Sequence, residues 1–565
     1  SLSVIEASSV HVTFQMAGMD DIFTHLGPWH YPVIIFCFLR GLPTAYHIMA
    51  PTFIAPTLEH WCAKPPQLKN WTDEQWMQHG IPQTGGGTGS QKLSRCEMFG
   101  LEETENGSYR ILNDTRLPCS SWHYEMGDNI NTLTNEFDLV CDRVWLRAAS
   151  QSIFMVGIMV GNIIFSHLSD WYGRKRALLF ALPLPIACGV LTAFSPSYLI
   201  YNLGRFAASI GIGGLQNSTF TLMIEVIAAR HRAVATLIYS AGWTTGLMTL
   251  TAFAWYIRNW MHLQLVISLF YIIHIFVLFF LPESPRWLLA TRNYGKADKI
   301  LKSAIRKNKV KDVDVDDLIK SFEEKMEQEK MSTKPTFVDL FRYRCIRRTT
   351  YVKAAMGILS TLLYYNLTYS IILVGSNPFA SFALMGAMEY PVKIVSLFFI
   401  NYLKRRTSYG VLYSYAFICS LAAIFLPRDP WWLQLIFVLQ VKLGSSCGST
   451  VLFVQRSELY PTKIRTLATG FMIMASRLGA MTAPFTKELG VIIGPWAPRA
   501  VDCCICLSLL VLGLLLPETF KLPLPDNIED IKSRSRKSTT PEAMTMLRNG
   551  NFPGPENEHQ ITREN

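Results

Sequence analysis

Glu225-Val-Ile-Ala-Ala-Arg230-His-Arg232 and Glu458-Leu-Tyr-Pro-Thr-Lys463-Ile-Arg465 carry one pattern twice: an acid, a base five positions on, and an arginine seven positions on. Each stands at the end of a long apolar run. An earlier loop repeats as well, as Asp170-Trp-Tyr-Gly173-Arg174-Lys175-Arg176 in the first half and Lys404-Arg405-Arg406 in the second. The chain reads as two copies of one membrane unit. Repeats of this kind build proteins whose halves move about a shared central site.

Half of the 565 residues are hydrophobic and 17% are charged. The apolar residues fall in about a dozen runs of roughly twenty, the length that crosses a bilayer. At that depth every backbone amide must be bonded within its own segment, so the runs are predicted to be helices. The expected fold is all-α, with twelve transmembrane helices in two pseudo-symmetric bundles of six. The division expected is a cytoplasmic N-terminus over 1–29 and a first bundle over 30–281 with a large extracellular loop at 59–145. A cytoplasmic linker over 282–349, a second bundle over 350–516 and a cytoplasmic tail over 517–565 complete it. Residues 1–30 lack a basic start followed by a compact apolar core, so the first span is expected to direct insertion.

Lys and Arg gather beside the spans on one side, which predicts that this side and both termini are cytoplasmic. The net charge of +11 is thus a topology signal, and a nucleic-acid partner is not expected. The partner is the lipid bilayer. The loop on the other side holds Cys62, Cys96, Cys119 and Cys141, an even set for which two disulfides are expected and three pairings fit. It also holds three glycosylation sequons, at Asn70, Asn106 and Asn113. Asn217 opens a fourth, but mid-span. The linker is expected to form amphipathic helices, and the Ser/Thr/Pro-rich tail from Ser533 to be disordered. There is no nucleotide loop, metal-spaced cluster or nucleophile motif, so no enzyme, metal or cofactor is expected.

The loop Asp170-Trp-Tyr-Gly173-Arg174-Lys175 resembles the loop signature of the major facilitator superfamily. Pro282-Glu283-Ser284-Pro285-Arg286-Trp287, Glu458-Leu459-Tyr460-Pro461-Thr462 with Arg465, Leu516-Pro517-Glu518-Thr519 and the loop opening Glu59-His60-Trp61-Cys62 resemble the organic ion transporter family within it. That family contains organic anion, organic cation and carnitine transporters. Ser166 stands where the loop signature usually begins with Gly, and Trp171 where it usually has a base. The resemblance implies alternating-access transport of small organic ions. A receptor of the same fold without net flux is the reading of another class.

Asp170, Gly173, Arg174, Lys175, Glu225, Arg232, Glu458 and Arg465 are expected to gate. Asp170 and Glu225 pair with nearby arginines, and Glu458 pairs with Arg465 or with the 404–406 bases. Each pair at a wet interface is worth about 0–1 kcal/mol, weak enough to be released by substrate. Substrate chemistry is sought among charges inside spans, which are costly in hydrocarbon. Glu389 and Lys393 are four apart on one helical face and can neutralise one another. Lys442 is a further buried base. Arg477 has no acid within a turn, so it leaves a positive field suited to a carboxylate, sulfate or phosphate. By resemblance, Arg477 matches a position that is basic in the anion and carnitine branches and acidic in the cation branch, Lys393 looks like the anion branch's cavity lysine, and Glu389 resembles the glutamate of the cation and carnitine branches. Tyr364 and Tyr365 resemble the anion branch's tyrosine pair, and Trp255 resembles another aromatic cavity position of the family; such rings suit flat substrates, organic cations or packing. Gln216 and His47 are polar in-span candidates, although such residues commonly serve as bonds between helices. A coupled ion or an exchanged carboxylate is a further expected partner.

Overall fold

The computed structural model describes residues 23, 26–68, 71–84, 92–103, 109–125, 130–310, 315–329, 338–371, 374, 377–427, 430–494, 496–520, 522 and 525. Among these, twelve helical segments are long enough to cross a membrane. In the first half they are α1 Tyr31–Ile54, α2 Trp145–Tyr172, α3 Arg174–Ala193, α4 Tyr198–Val226, α5 Arg232–Tyr256 and α6 Trp260–Phe280. In the second they are α7 Arg344–Ser370, α8 Pro378–Tyr402, α9 Arg405–Phe425, α10 Trp431–Leu459, α11 Thr462–Ile492 and α12 Ala497–Leu515. Eight are apolar enough to span by composition, while α4, α5, α7 and α11 are not among them. Those four hold interior polar groups such as Gln216, Thr245, Lys353 and Arg477, which sit against other helices rather than lipid.

Local chemistry fixes the ends. The Ser197 hydroxyl accepts from Ile200 N–H to open α4, and Asn377 Oδ1 accepts from Phe379 and Ala380 N–H ahead of Pro378 in α8. Both meet the orphan donors of a helix start. Gly173, between α2 and α3, has φ 102°, a conformation that a side chain disfavours. Close approach matters most between α1 and α5, where a Cβ on Gly41 would collide with the Gly242 backbone. The missing side chains let these two helices touch backbone to backbone.

Between α1 and α2 lies a small loop domain of three antiparallel strand pairs: His60–Cys62 with Trp122–Tyr124, Gln83–Thr84 with Lys92–Leu93, and Glu97–Glu103 with Tyr109–Pro118. Its disulfides join Cys62 to Cys119 and Cys96 to Cys141, one of the three pairings left open above. Trp76 is buried against Cys62 and Leu68 and donates its indole N–H to the Cys62 carbonyl at 2.9 Å. His60 Nε2 stands 3.8 Å from Cys141 Sγ; the disulfide takes both neighbouring thiols, which leaves no thiolate for a metal there. Asn113 lies on the strand Tyr109–Pro118. Asn70, Asn106, residues 85–91, residues 1–22 and the tail from 526 lie outside the described residues. In the linker, Tyr294–Asn308 and Val315–Glu329 are amphipathic helices, the first burying Ala297, Leu301 and Ala304.

Each disulfide is expected to contribute about 2–4 kcal/mol to the loop domain. Cys62→Ser should therefore lower the amount of mature protein at the cell surface several-fold, measured by surface biotinylation. Peptide mapping without reductant should recover the two pairs named above.

Candidate functional site

The face opposite the loop domain is built from the repeated motifs. Arg174 grips Glu225 with two bonds, Nε to Oε2 at 2.9 Å and Nη2 to Oε1 at 2.7 Å, and its Nη1 donates to the Ser169 carbonyl at 2.8 Å. Arg405 does the same in the second half, with Glu458 at 3.1 and 2.7 Å and the Ile400 carbonyl at 2.7 Å. A second carboxylate closes each cluster. Glu283 accepts from the backbone N–H of Arg174 at 2.8 Å and of Lys175 at 3.1 Å, and Glu518 from those of Arg405 at 2.8 Å and Arg406 at 3.0 Å. Both sit where a helix begins and its N–H groups lack partners, the favoured place for an anion. Gly173 is needed here because a Cβ would fall 2.5 Å from Glu283 Oε2. Burial pushes the Glu283 carboxyl above its usual range, opposed by the N–H groups of Ser284, Lys175 and Arg174 and by the Arg174 charge.

Of the partners left open for Glu458, Arg405 takes it rather than Arg465, and the arginine near Glu225 that takes it is Arg174; Arg232 Nε bonds the Ile227 carbonyl and Arg465 Nε the Tyr460 carbonyl, each at 3.2 Å. The acid and its terminal arginine flank a chain turn, so the arginine folds back on the turn while the incoming loop supplies the ion-pair partner. Asp170 does pair with Arg174, at 3.1 Å. Both clamps lie within one half rather than across the two. Nor are they wet: the Arg174 and Arg405 side chains are 3% and 6% exposed. Breaking such a pair costs about 3–5 kcal/mol, well above the surface value.

Midway along the helices, Arg477 of α11 donates from Nη2 to Gln216 Oε1 of α4 at 3.1 Å, joining the halves through a neutral partner. Glu389 is buried, and its ion pair is with Lys442 at 3.6 Å rather than with Lys393. Lys442 is enclosed: it donates to Thr368 Oγ1 at 2.8 Å and the Tyr364 carbonyl at 3.2 Å, and lies 3.1 Å from the centroid of the Tyr364 ring. Pro391 lies between Glu389 and Lys393 in α8, and half-buried Lys393 makes no direct ion pair among the described residues. Tyr364 and Tyr365 stand edge to face at 5.4 Å, and Tyr365 stacks on Tyr369 at 5.9 Å.

Two candidates lie elsewhere. Trp255 packs on Phe379 with Arg258 above both rings, at the loop-domain end of α5. It is twelve residues from Trp243, about 18 Å along the helix. His47 turns into the first half, its ring 5.8 Å from that of Tyr271 and beside Gly189. Both residues pack against neighbouring aromatic rings, Trp255 on Phe379 and His47 on Tyr271.

Several cross-half bonds were not anticipated. Trp243 Nε1 donates to Tyr364 Oη at 3.0 Å, and Thr245 Oγ1 meets Tyr390 Oη at 2.8 Å. Nearer the loop domain, Gln151 Nε2 donates to Tyr369 Oη at 2.9 Å and Ser152 Oγ to the Met481 carbonyl at 2.6 Å. Arg147 Nη2 pairs with Glu488 at 2.8 Å, with both side chains at most 6% exposed. Phe53 stacks on Phe379 at 5.3 Å. These contacts run from the middle of the molecule to the loop-domain end, so the site is closed on that face. Arg147 and Glu488 stand in spans read only as apolar, and no local pattern flags them. Lys353, fully buried and bonded to Gln455 Oε1 at 2.7 Å, ties α7 to α10.

Glu488→Gln removes one charge of the buried pair that holds this face shut. The variant should shift the population toward opening by about tenfold or more. Ser152→Cys placed in both backgrounds reports it: labelling by an impermeant thiol reagent applied on the loop-domain side should rise in the Glu488→Gln protein, and an unchanged rate would show that the pair does not hold the seal.

Residues 98–529 match the family described as "Sugar (and other) transporter". The chain is 32% identical over 515 residues to organic anion transporter 3 of Sus scrofa, covering 89% of this chain and 92% of that one. It is 30% identical over 543 residues to the organic cation transporter protein of Drosophila melanogaster, covering 93% and 96%. The fold is similar to that of the inward-open xylose transporter XylE from E. coli, with a TM-score of 0.60 at 13% identity over 89% of this chain and 99% of that one. Family match, relatives and duplicated six-helix fold agree: the chain belongs to the organic ion transporter family of the major facilitator superfamily and is a membrane transporter, not an enzyme.

Proposed function

We propose that this chain moves small amphipathic organic ions across the plasma membrane by alternating access, with anions favoured over cations and both termini in the cytoplasm. The single observation that carries the anion preference is the Glu389–Lys442 pair. It occupies the acid of the central region, while Arg477 has an amide partner and Lys393 makes no direct ion pair among the described residues. The balance left for a ligand is positive. The guanidinium of Arg477 suits a carboxylate or sulfate, which it grips with parallel N–H bonds, and Tyr365, Tyr364 and Trp243 offer aromatic surface for an apolar body. Relatives named for anion and for cation transport support the wider class equally. The clamps around Glu225 and Glu458 keep each half rigid while the halves rock, and the bonds between halves are those that break and reform. The return step is driven by an exchanged intracellular carboxylate or a coupled ion.

A second reading has its own observation. Among the described residues Glu389 Oε1 accepts no hydrogen bond, and its pair with Lys442 is long at 3.6 Å. A zwitterion with a quaternary ammonium, such as carnitine, would place that group at Glu389 and its carboxylate at Arg477.

Uptake of a labelled aromatic carboxylate, a quaternary ammonium and carnitine into expressing cells separates these readings. Carboxylate uptake is expected, and Arg477→Ala should lower its kcat/KM by about tenfold to a hundredfold, the scale of a lost charge-assisted bond. Glu389→Gln should leave carboxylate uptake within a few-fold. Carnitine or ammonium uptake without carboxylate uptake, abolished by Glu389→Gln, would replace the anion reading, and no uptake of any of the three would favour a receptor.

A further inference from the structure

The linker helix Tyr294–Asn308 sets Lys296, Lys299, Lys302, Arg306 and Lys307 against a single acid, Asp298. Its buried face is Ala297, Leu301 and Ala304. Its last residue holds the start of α1, where Asn308 Oδ1 accepts from Trp29 N–H at 3.2 Å. Beside that contact a cavity of about 230 Å³ lies between the helix, the start of α1 and the end of α6. Lys299, Ser303 and Lys307, spaced four apart and so on one side of the helix, line one wall, while Trp29, Phe280 and Ile300 supply apolar surface. The lining holds two cations and no acid. Asp298 is taken by Lys302 at 2.8 Å, and neither Lys299 nor Lys307 makes an ion pair among the described residues.

The cavity also meets the face that these spans turn outward. On α6, Phe276, Phe279 and Phe280 are 64%, 75% and 76% exposed, and on α1 Tyr31 and Ile35 are half exposed. Large apolar side chains exposed on spanning helices lie against hydrocarbon. Phe280 belongs to both surfaces: it ends the outward aromatic row and lines the cavity. Lipid tails and two ammonium groups therefore come together at one residue. A soluble anion would leave the aromatic row unused, and an uncharged lipid would leave both lysines without a counter-charge.

We propose that this cavity binds the phosphate of an anionic phospholipid from the adjoining leaflet, with its acyl chains along Phe276, Phe279 and Ile35. Lys299 and Lys307 stand about 12 Å apart along the helix axis, a gap that two lysine stems close from opposite sides, with the Ser303 hydroxyl midway as a donor. Basic groups beside a membrane attract anionic headgroups in this way. The inference depends on the orientation proposed above only in naming that leaflet the cytoplasmic one.

The test uses the full-length protein in phosphatidylcholine nanodiscs containing graded amounts of photoactivatable phosphatidylserine, with the labelled peptides mapped after crosslinking. The unaltered protein should show saturable labelling of the segment spanning Phe276 to Asn308. Lys299→Gln combined with Lys307→Gln should raise the half-saturating fraction about thirtyfold, the scale of two lysines at a membrane surface. Lys302→Gln combined with Arg306→Gln removes the same charge from the same helix outside the cavity, and should change it by less than about threefold. Equal weakening by the two double variants would reduce the effect to the overall charge of the helix and overturn the proposal, as would absence of label in this segment. Displacement of the label by inorganic phosphate as readily as by unlabelled phosphatidylserine would make this a site for free phosphate and overturn the lipid. Should the first double variant fold poorly, competition in the unaltered protein decides, because phosphatidylcholine competing as well as phosphatidylserine would show that no anion is selected.

Discussion

A charge inside a helical bundle must find a partner, because the surrounding medium neither solvates nor screens it well. The arrangement of this transporter follows from how each buried charge meets that demand. At one end, Arg174 and Arg405 are enclosed by carboxylates and carbonyls of their own halves. At the other, Arg147 and Glu488 satisfy one another across the halves. In the middle, Arg477 settles for an amide. The gradient runs from fully paired ends to an underpaired centre. The proposed ligand would bind where its own charge completes what the protein lacks.

The duplicated clusters explain why motifs far apart in sequence read alike. Glu283 follows α6 and Glu518 follows α12, yet each caps the helix that opens the third span of its half. The acid at the end of the sixth helix thus reaches back to the turn between the second and third, and the arginine of that turn reaches on to the end of the fourth. Four helix ends are tied by one arginine and two carboxylates. A half built this way resists bending, because bending it means exposing an arginine whose three nitrogens are all engaged.

Much of the fold was legible because bilayer crossing imposes length and composition, and because the repeated motifs mark equivalent turns. The paired cysteines gave the side and the number of disulfides but not the pairing, which depends on which strands meet: His60–Cys62 pairs with Trp122–Tyr124 and so brings Cys62 beside Cys119. The central site was legible in part. Arg477 and Glu389 stand out as charges in apolar runs, whereas the partner of Glu389 could not be read from α8 alone. Helical spacing proposed Lys393, and tertiary packing chose Lys442 from α10. Trp243 is one aromatic among many, and its role comes from facing another helix.

The bonds between halves also bear on how the protein moves. Those nearest the loop domain include an ion pair and a hydrogen bond to a backbone carbonyl, whereas the central ones join a tryptophan to a tyrosine and an arginine to a glutamine. Opening the loop-domain face requires breaking the first set, and a ligand can lower that cost only through groups it touches. Arg477 lies on α11, which also carries Met481 and Glu488 of the seal, and Tyr364 and Tyr369 lie together on α7. An anion that draws Arg477 away from Gln216 exchanges a neutral partner for a charged one and removes one tie across the halves. On the proposed reading the same helices hold the ligand and the seal, and binding would shift the opening by the difference in how well the ligand is gripped in the two states.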